Sequence, residues 1–327
     1  RRMKIESDRA EVISGVRLGE TLGSPVALII WNRDAENWKE AMSPLPPDPD
    51  GNPKVLRSLY LPRPGHADLV GLLKYDRRDT RDILERASAR ETAARVACGA
   101  VCKKLLADFG ITIGSHVTSI GAVEAQVPDD LPEDLNSVVD ASPLRTLDEE
   151  AASLMVAAID QAKEEGDTLG GIFEVVAWGL PAGLGSYVSY DTRLDGRLAG
   201  AMMSIQAIKG VEIGDGFDAA RLSGEANADP MRPPSEGDAP EFTANHAGGI
   251  AGGIATGQPV TCRVAFKPTS SILTPVDTIT REGEATQIST KGRHDPCVGI
   301  RGVPVVEAMM ACVLADQALL HRAPGGE

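Results

Sequence analysis

The sequence predicts an α/β fold of the α+β kind, in which sheets pack against a helical layer, and three observations lead there. Helical and strand-like hydrophobic patterns intermix along the chain without the regular strand–helix–strand alternation of a doubly wound parallel sheet. At 327 residues and 42% hydrophobic content, the chain can bury one large core or two smaller ones. Its 34 glycines and 22 prolines call for many turns. No short-period repeat accompanies them, which removes solenoids. The expectation is a single domain over residues 1–327.

Each element follows from local pattern. Val12-Ile13 and the apolar run 26–31 are separated by glycine-bearing turns, which predicts a hairpin over 10–30. Residues 37–64 are rich in Pro, Asp, Asn and Ser and predict a long surface loop. Between 88 and 109, Val96, Ala97, Ala100, Val101 and Leu105 share one helical stripe, with Gly110 as its stop. Residues 111–123 alternate like a strand, and 128–143 read as a polar loop. Thr146 with Glu149 forms a capping box for a helix that ends near Gly166. Residues 171–177 predict a buried strand, followed by turns through Ser186. A helix is expected over 193–208, ending at Lys209-Gly210, and a proline-rich insertion over 224–246. Val260–Phe266 predicts a strand, and 303–320 a closing amphipathic helix.

Charge and cysteine usage narrow the function. A net charge of −14 argues against nucleic acid or an anionic membrane as partner, since both require an extended basic surface. Clustered arginines in such an acidic chain therefore point to a small anionic ligand. The sequence shows no leading apolar segment and no uninterrupted apolar run near the length of a membrane span, so a cytoplasmic location is expected. Cys98, Cys102, Cys262, Cys297 and Cys312 contain no C-x-x-C pair. They are read as small buried hydrophobes in a reducing compartment, and no metal site is expected.

Five short segments carry chemistry. In Arg63-Pro64-Gly65-His66-Ala67-Asp68, proline fixes one dihedral and glycine frees the next, which aims the imidazole. Histidine titrates near neutrality and suits proton donation; a turn histidine simply bonded to Asp68 remains equally open. Arg86-Ala87-Ser88-Ala89-Arg90-Glu91 places small residues at a helix start with Ser88 as cap, an anion-binding end flanked by two guanidinium groups. A solvated helix start with Arg–Glu pairs is its plain alternative. The double-glycine run 245–253 fails the G-x-G-x-x-G spacing, and marks close backbone approach. Lys267-Pro268-Thr269-Ser270-Ser271 offers a cation and hydroxyls at a rigid turn, a phosphate cradle without Walker spacing. Arg293-His294-Asp295-Pro296 supplies a carboxylate between cations, either a base or the partner in an Asp-Pro turn. His116 and His321 are read as structural.

These segments, with Ser204-Ile205-Gln206-Ala207-Ile208-Lys209-Gly210-Val211-Glu212-Ile213-Gly214, resemble the signature segments of the chorismate synthase family, in the family's order and over nearly the whole chain. The resemblance implies a helical layer sandwiched between antiparallel β-sheets and a homotetramer. It implies a 1,4-anti elimination of phosphate from 5-enolpyruvylshikimate 3-phosphate, giving chorismate in the shikimate pathway of aromatic amino acid biosynthesis. Reduced FMN is required, supplied through an NADPH-dependent activity of the protein or an external flavin reductase. By resemblance His66 is a proton donor near the reduced flavin, and Asp295 works with flavin N5 in removing the substrate proton. Arg63, Ala89, Arg90 and Arg293 would hold the substrate. Arg86, Ala87, Ser88, Gln206, Ala207, Gly252, Lys267, Pro268, Thr269, Ser270, Ser271 and Arg293 would contact FMN. His66, Arg90, Arg293 and Asp295 are expected to line one cleft, with 267–271 and Gly252 on its wall. The family's Gly-Glu-Ser-His-Gly segment, whose histidine is thought to protonate the departing phosphate, is not among these residues, and its tail is shortened. Slow turnover or none, with retained flavin binding, is therefore the expectation for this polypeptide, and its alternative is a truncated homologue that binds flavin or phosphate ligands without catalysis.

Overall fold

The computed structural model describes residues 9–33, 35–46, 48, 50, 58–132, 134–235, 239–290 and 295–325, with side chains to 321 in the last helix. Its contacts divide the chain into two compact units, Arg1–Ala94 with Ser270–Asp295, and Arg95–Thr269 with Pro296–Glu327. Helices combine with antiparallel sheets, as the intermixed patterns predict.

The second unit is built on one five-stranded antiparallel sheet, ordered Val123–Glu124, Thr112–Ile120, Gly171–Trp178, Val260–Phe266, Ile208–Ile213. Strand side chains alternate between faces. Val260, Cys262, Val264 and Phe266 accordingly turn into the core, while Thr261, Arg263 and Ala265 are only half-buried on the opposite face. That opposite face carries a polar row across four strands, His116 beside Glu174, Arg263 and Glu212. His116 Nε2 lies 2.9 Å from Glu174, and Arg263 Nη2 lies 2.9 Å from Glu212. The structural reading of His116 fits this setting, since the residue is fully buried.

On the core face lies the closing helix, Gly299–Gly325, with Val303, Val306, Met310 and Leu314 fully buried. Phe173 and Phe266 meet edge to face beneath it, ring centroids 5.2 Å apart. The helix Thr92–Ala107 crosses it at Gly99, where a Cβ would stand 2.4 Å from the Ala308 Cα; only glycine allows that approach. The Glu307 carboxylate is buried nearby and accepts from Lys103 Nζ, Ser115 Oγ and, at 3.4 Å, Arg145 Nη2. Its charge is thereby compensated inside the core. Residues 299–321 are apolar and long enough to cross a membrane, contrary to the sequence expectation, but most of their surface is packed inside this unit.

Four local expectations are corrected. The helix Glu149–Glu165 is capped by Asp148, whose Oδ1 accepts from Ala151 N at 2.9 Å, not by Thr146, which is buried. A carboxylate one residue before the acidic first turn makes the better cap. The 128–143 loop contains a short helix, Leu135–Val139, capped by Asp134 and burying Leu135 and Val139. The 193–208 helix stops at Met203, and Ile208–Ile213 is a strand. Ala207 at φ 70° breaks the helical path, and pairing with Val260–Phe266 then takes over. Finally, Cys98 is exposed and Cys102 half-buried, its Sγ 3.9 Å from Cys312 Sγ; only Cys262 and Cys297 are buried hydrophobes.

The first unit is made of shorter pieces. Ala10–Ser14 pairs antiparallel with Ala27–Ile30, the predicted hairpin. Apart from the single turn Ala35–Trp38, the described part of 37–64 holds no helix or strand, in line with a surface loop. The helices Asp68–Tyr75 and Thr80–Ala87 follow, and pack where Gly71 meets the Ile83 side chain. A second hairpin, Val276–Ile279 with Ala285–Ile288, completes the unit. Its Thr278 Oγ1 donates to Pro62 O at 2.6 Å and so fixes the residue that precedes Arg63.

Candidate functional site

In the first unit the polypeptide turns at Arg63-Pro64-Gly65-His66. Proline occupies the second position, Gly65 the third with φ 73°, and His66 N donates to Arg63 O at 3.2 Å. That is a type II turn, which requires a positive φ at its third residue. The turn delivers His66 and then Asp68, first residue of the Asp68–Tyr75 helix, onto one side of Arg63.

Asp68 is the hub. It is 1% exposed, yet four donors reach it. Its Oδ2 accepts from Arg63 N at 3.1 Å and Arg63 Nε at 2.8 Å. Its Oδ1 accepts from Arg63 Nη2 at 3.0 Å and lies 2.7 Å from His66 Nδ1. Burial by itself would raise the Asp68 pKa, but the hydrogen bonds from His66 and Arg63 outweigh it and hold the carboxyl well below the usual range. Arg63 Nη1 also donates to the buried Ser271 Oγ at 2.8 Å. Nε, Nη1 and Nη2 of the guanidinium are therefore each engaged within the unit, with Nη2 also against the His66 ring, and the second hydrogen of Nη1 is left to meet an anion. Ser270 Oγ donates to Gly65 O at 2.9 Å, tying the end of the 267–271 segment to the turn.

The structure thus gathers Arg63, His66, Ser270 and Ser271, four of the candidates read from sequence. Ser88 is the predicted cap, accepting from Arg90 N at 3.2 Å. The element it opens is the 3₁₀ turn Ala89–Glu91, which runs on into the helix Thr92–Ala107. Arg86 is exposed at the end of the preceding helix, with Ala87 and Ala89 on either side of the cap. Asp295 is half-buried in the same unit. Arg293 lies outside the described residues. An open cleft of 410 Å³ in this unit, lined by Met42, Tyr75, Arg77 and Asp82 among others, contains none of the candidates.

The second unit holds Gln206, Ala207, Gly252, Lys267, Pro268 and Thr269. Lys267 N donates to Ala207 O at 2.9 Å, which joins the end of the Val260–Phe266 strand to the strained residue 207. Burial, and then the charge of Lys209, push the Lys267 ammonium below its ordinary pKa. An anion beside these two lysines would relieve both effects. Thr269 Oγ1 is buried with no hydrogen-bond partner among the described residues. Gly252, at φ 61° in the turn between Ile250–Ala251 and Ile254–Ala255, has open space where a Cβ would stand. A cationic pair, an orphaned hydroxyl and exposed backbone suit a phosphorylated, polyhydroxylated group such as FMN.

Sequence reasoning passed over two residues. Asp68 appeared only as a companion of His66, although its position in the same hexapeptide was the available signal. Lys209 appeared only within a longer segment, and nothing in its spacing indicates that its charge reaches Lys267.

Known proteins resemble this chain over nearly its whole length. The family model described as chorismate synthase matches residues 1–319. The chain is 52% identical over 333 residues to the chorismate synthase of Erythrobacter litoralis, covering 98% of this chain and 84% of that one. It is 49% identical over 318 residues to that of Symbiobacterium thermophilum, covering 96% and 80%. A crystal structure of chorismate synthase superimposes with a TM-score of 0.73 at 42% identity, covering 95% of this chain and 78% of the other.

Proposed function

The chain belongs to the chorismate synthase family, and from that premise we propose which of its residues do the work. The reaction is the elimination of phosphate from 5-enolpyruvylshikimate 3-phosphate to give chorismate, a carbon–oxygen lyase step in aromatic amino acid biosynthesis. The protein must hold a phosphate and carboxylates, stabilise the negative charge that gathers on departing phosphate, and manage one proton.

In the first unit, His66 is the proton-exchanging group and Arg63 a fixed cation that faces the substrate. Arg90, Ala89 and Arg293 complete substrate binding, and Asp295 accepts the ring proton. Arg86, Ala87 and Ser88, with Ser270, Ser271 and Arg293, take part in holding reduced FMN. In the second unit, Lys267, Pro268 and Thr269 receive its anionic and hydroxylated parts, while Gln206, Ala207 and Gly252 meet it through backbone and amide groups. Bound in reduced form, the flavin supplies an electron-rich ring system that eases phosphate departure. The protein acts in the cytoplasm as a homotetramer and relies on reduced flavin from an NADPH-dependent reductase.

The observation that supports this reading most is the Arg63–His66–Asp68 cluster, a histidine and a cation locked together at a turn, where an isolated surface histidine would have no such partners. Titration of reduced FMN with and without 5-enolpyruvylshikimate 3-phosphate tests it. The substrate is expected to tighten flavin binding, because both would share Arg293. Equal affinities would contradict the shared arginine, and Arg293→Ala should weaken both ligands by about 1.5–3 kcal/mol.

A further inference from the structure

We propose that Asp68 is the positioning residue of this site, a single carboxylate that fixes the His66 tautomer and the Arg63 guanidinium together. The inference deepens the assignment of His66 as proton-exchanging group and rests on it.

A carboxylate can only accept hydrogen bonds. The 2.7 Å contact between Asp68 Oδ1 and His66 Nδ1 therefore places the hydrogen of neutral His66 on Nδ1 and leaves Nε2 as the atom that gains or gives a proton. Arg63 does not compete for that role. Its Nη2 stands 3.1 Å from Nδ1 and 3.3 Å from Nε2, nearly equidistant, so it lies over the ring face and not along either lone pair. The same carboxylate holds Arg63 side-on through Nε and Nη2 and grips its backbone N. Ser271 Oγ takes Nη1 from the other side. Both functional groups thus inherit their orientation from one residue that, at 1% exposure, has almost no surface for a ligand of its own. Burial of an unpaired carboxylate would be strongly unfavourable; the four hydrogen bonds make it tenable and remove alternative rotamers. Charge alternates through the cluster, with the anion between the cation and the ring.

Asp68→Asn is the informative substitution because it keeps the shape and removes one acceptor. The asparagine carbonyl oxygen must face Arg63 N and Nε, both obligate donors. Its NH₂ then takes the place of Oδ1 and donates to His66 Nδ1, which forces the hydrogen onto Nε2. Long-range ¹H–¹⁵N correlation spectra of the ligand-free, ¹⁵N-labelled full chain, recorded well above the ordinary histidine titration range, read this directly. His66 is expected as the Nδ1–H tautomer in the native chain and as Nε2–H in Asp68→Asn. An Nε2–H tautomer in the native chain, or no change on substitution, would overturn the proposal. The native spectrum decides even if the variant fails to fold.

Turnover gives the second reading. With reduced FMN, Asp68→Asn should lose roughly 10²-fold or more in kcat, the scale of a misdirected general acid–base group. FMN affinity should fall by less than tenfold, far less than kcat, because Asp68, at 1% exposure, meets the flavin-holding Ser271 by way of Arg63. A loss confined to KM would also overturn the proposal. The tautomer is measured without substrate or flavin. A native chain that forms no chorismate would therefore refute the reaction assigned to His66, and leave the spectra to decide whether Asp68 fixes the ring.

Discussion

The two units achieve precision by opposite means. The second sets its candidate residues on the margin of a large apolar core, where Phe173, Val264, Met310 and Leu314 are fully buried and the sheet places Lys267 at a strand end. Among its described residues the first has few buried hydrophobes, chiefly Leu72 and Ile83, and its hairpin strand Ala10–Ser14 is exposed along its whole length. There a buried ion cluster at Asp68 does the positioning that packing does elsewhere. Dispersion contacts are individually weak and numerous, so a packed site tolerates small errors. A charge cluster concentrates its stabilisation in one residue.

Substitutions in the two units should therefore behave differently. Phe173→Ala removes a fully buried ring that packs edge to face on Phe266, and should destabilise the second unit by about 3–5 kcal/mol in urea unfolding. That loss should hardly vary with pH. A loss below 1 kcal/mol would show that the core is less tightly packed than described.

Asp68→Asn should cost about 3 kcal/mol at neutral pH, because it leaves the half-buried Arg63 without its anion. This loss must depend on pH. The folded carboxyl is depressed below its unfolded value, so its contribution is complete above the ordinary carboxylate range, near about pH 4, and disappears as the pH falls through the folded value. The stability gap between native chain and variant should thus narrow in acid. Hydrogen exchange read by mass spectrometry adds location: faster exchange over 62–75 and 270–273, with the five-stranded sheet unchanged. A pH-independent gap, or loss of protection in the sheet, would erase the contrast between the units.

The smallest effect is expected at Ala207, a non-glycine residue at φ 70°. Ala207→Gly relieves left-handed strain of about 1–2 kcal/mol, offset by the backbone entropy of glycine at about 0.5–1 kcal/mol. A net gain near about 0.5 kcal/mol in thermal unfolding is expected; destabilisation would show that the alanine methyl packs usefully.

How much of this was legible in the sequence follows the same division. Regular elements with a clear period emerged directly: Val260–Phe266 alternates cleanly, and Gly110 stops its helix. The failures come from long-range competition. Ile208–Ile213 has a composition that suits helix or strand, and only pairing with Val260–Phe266 decides for strand. Asp148 lies two residues after Thr146, whose spacing to Glu149 also fits a capping box, so local pattern could not rank it. Cys98 and Cys102 share a helix face with the rest of their turn, and burial there depends on where Gly99 meets Ala308. At the site, the hexapeptide around His66 revealed its turn chemistry because proline and glycine dictate it. The partnership of Arg63 with Ser271, 208 residues away, has no local signature.

The central claim, that this chain eliminates phosphate by using His66 and reduced flavin, is tested most directly by single turnover. Excess protein and reduced FMN are mixed anaerobically with 5-enolpyruvylshikimate 3-phosphate, and chorismate and phosphate are quantified together. The account predicts the two products in equal amounts, none with oxidised FMN, and a loss of roughly 10²–10⁴ in rate for His66→Ala. Phosphate released without chorismate, or an unchanged rate in His66→Ala, would contradict it.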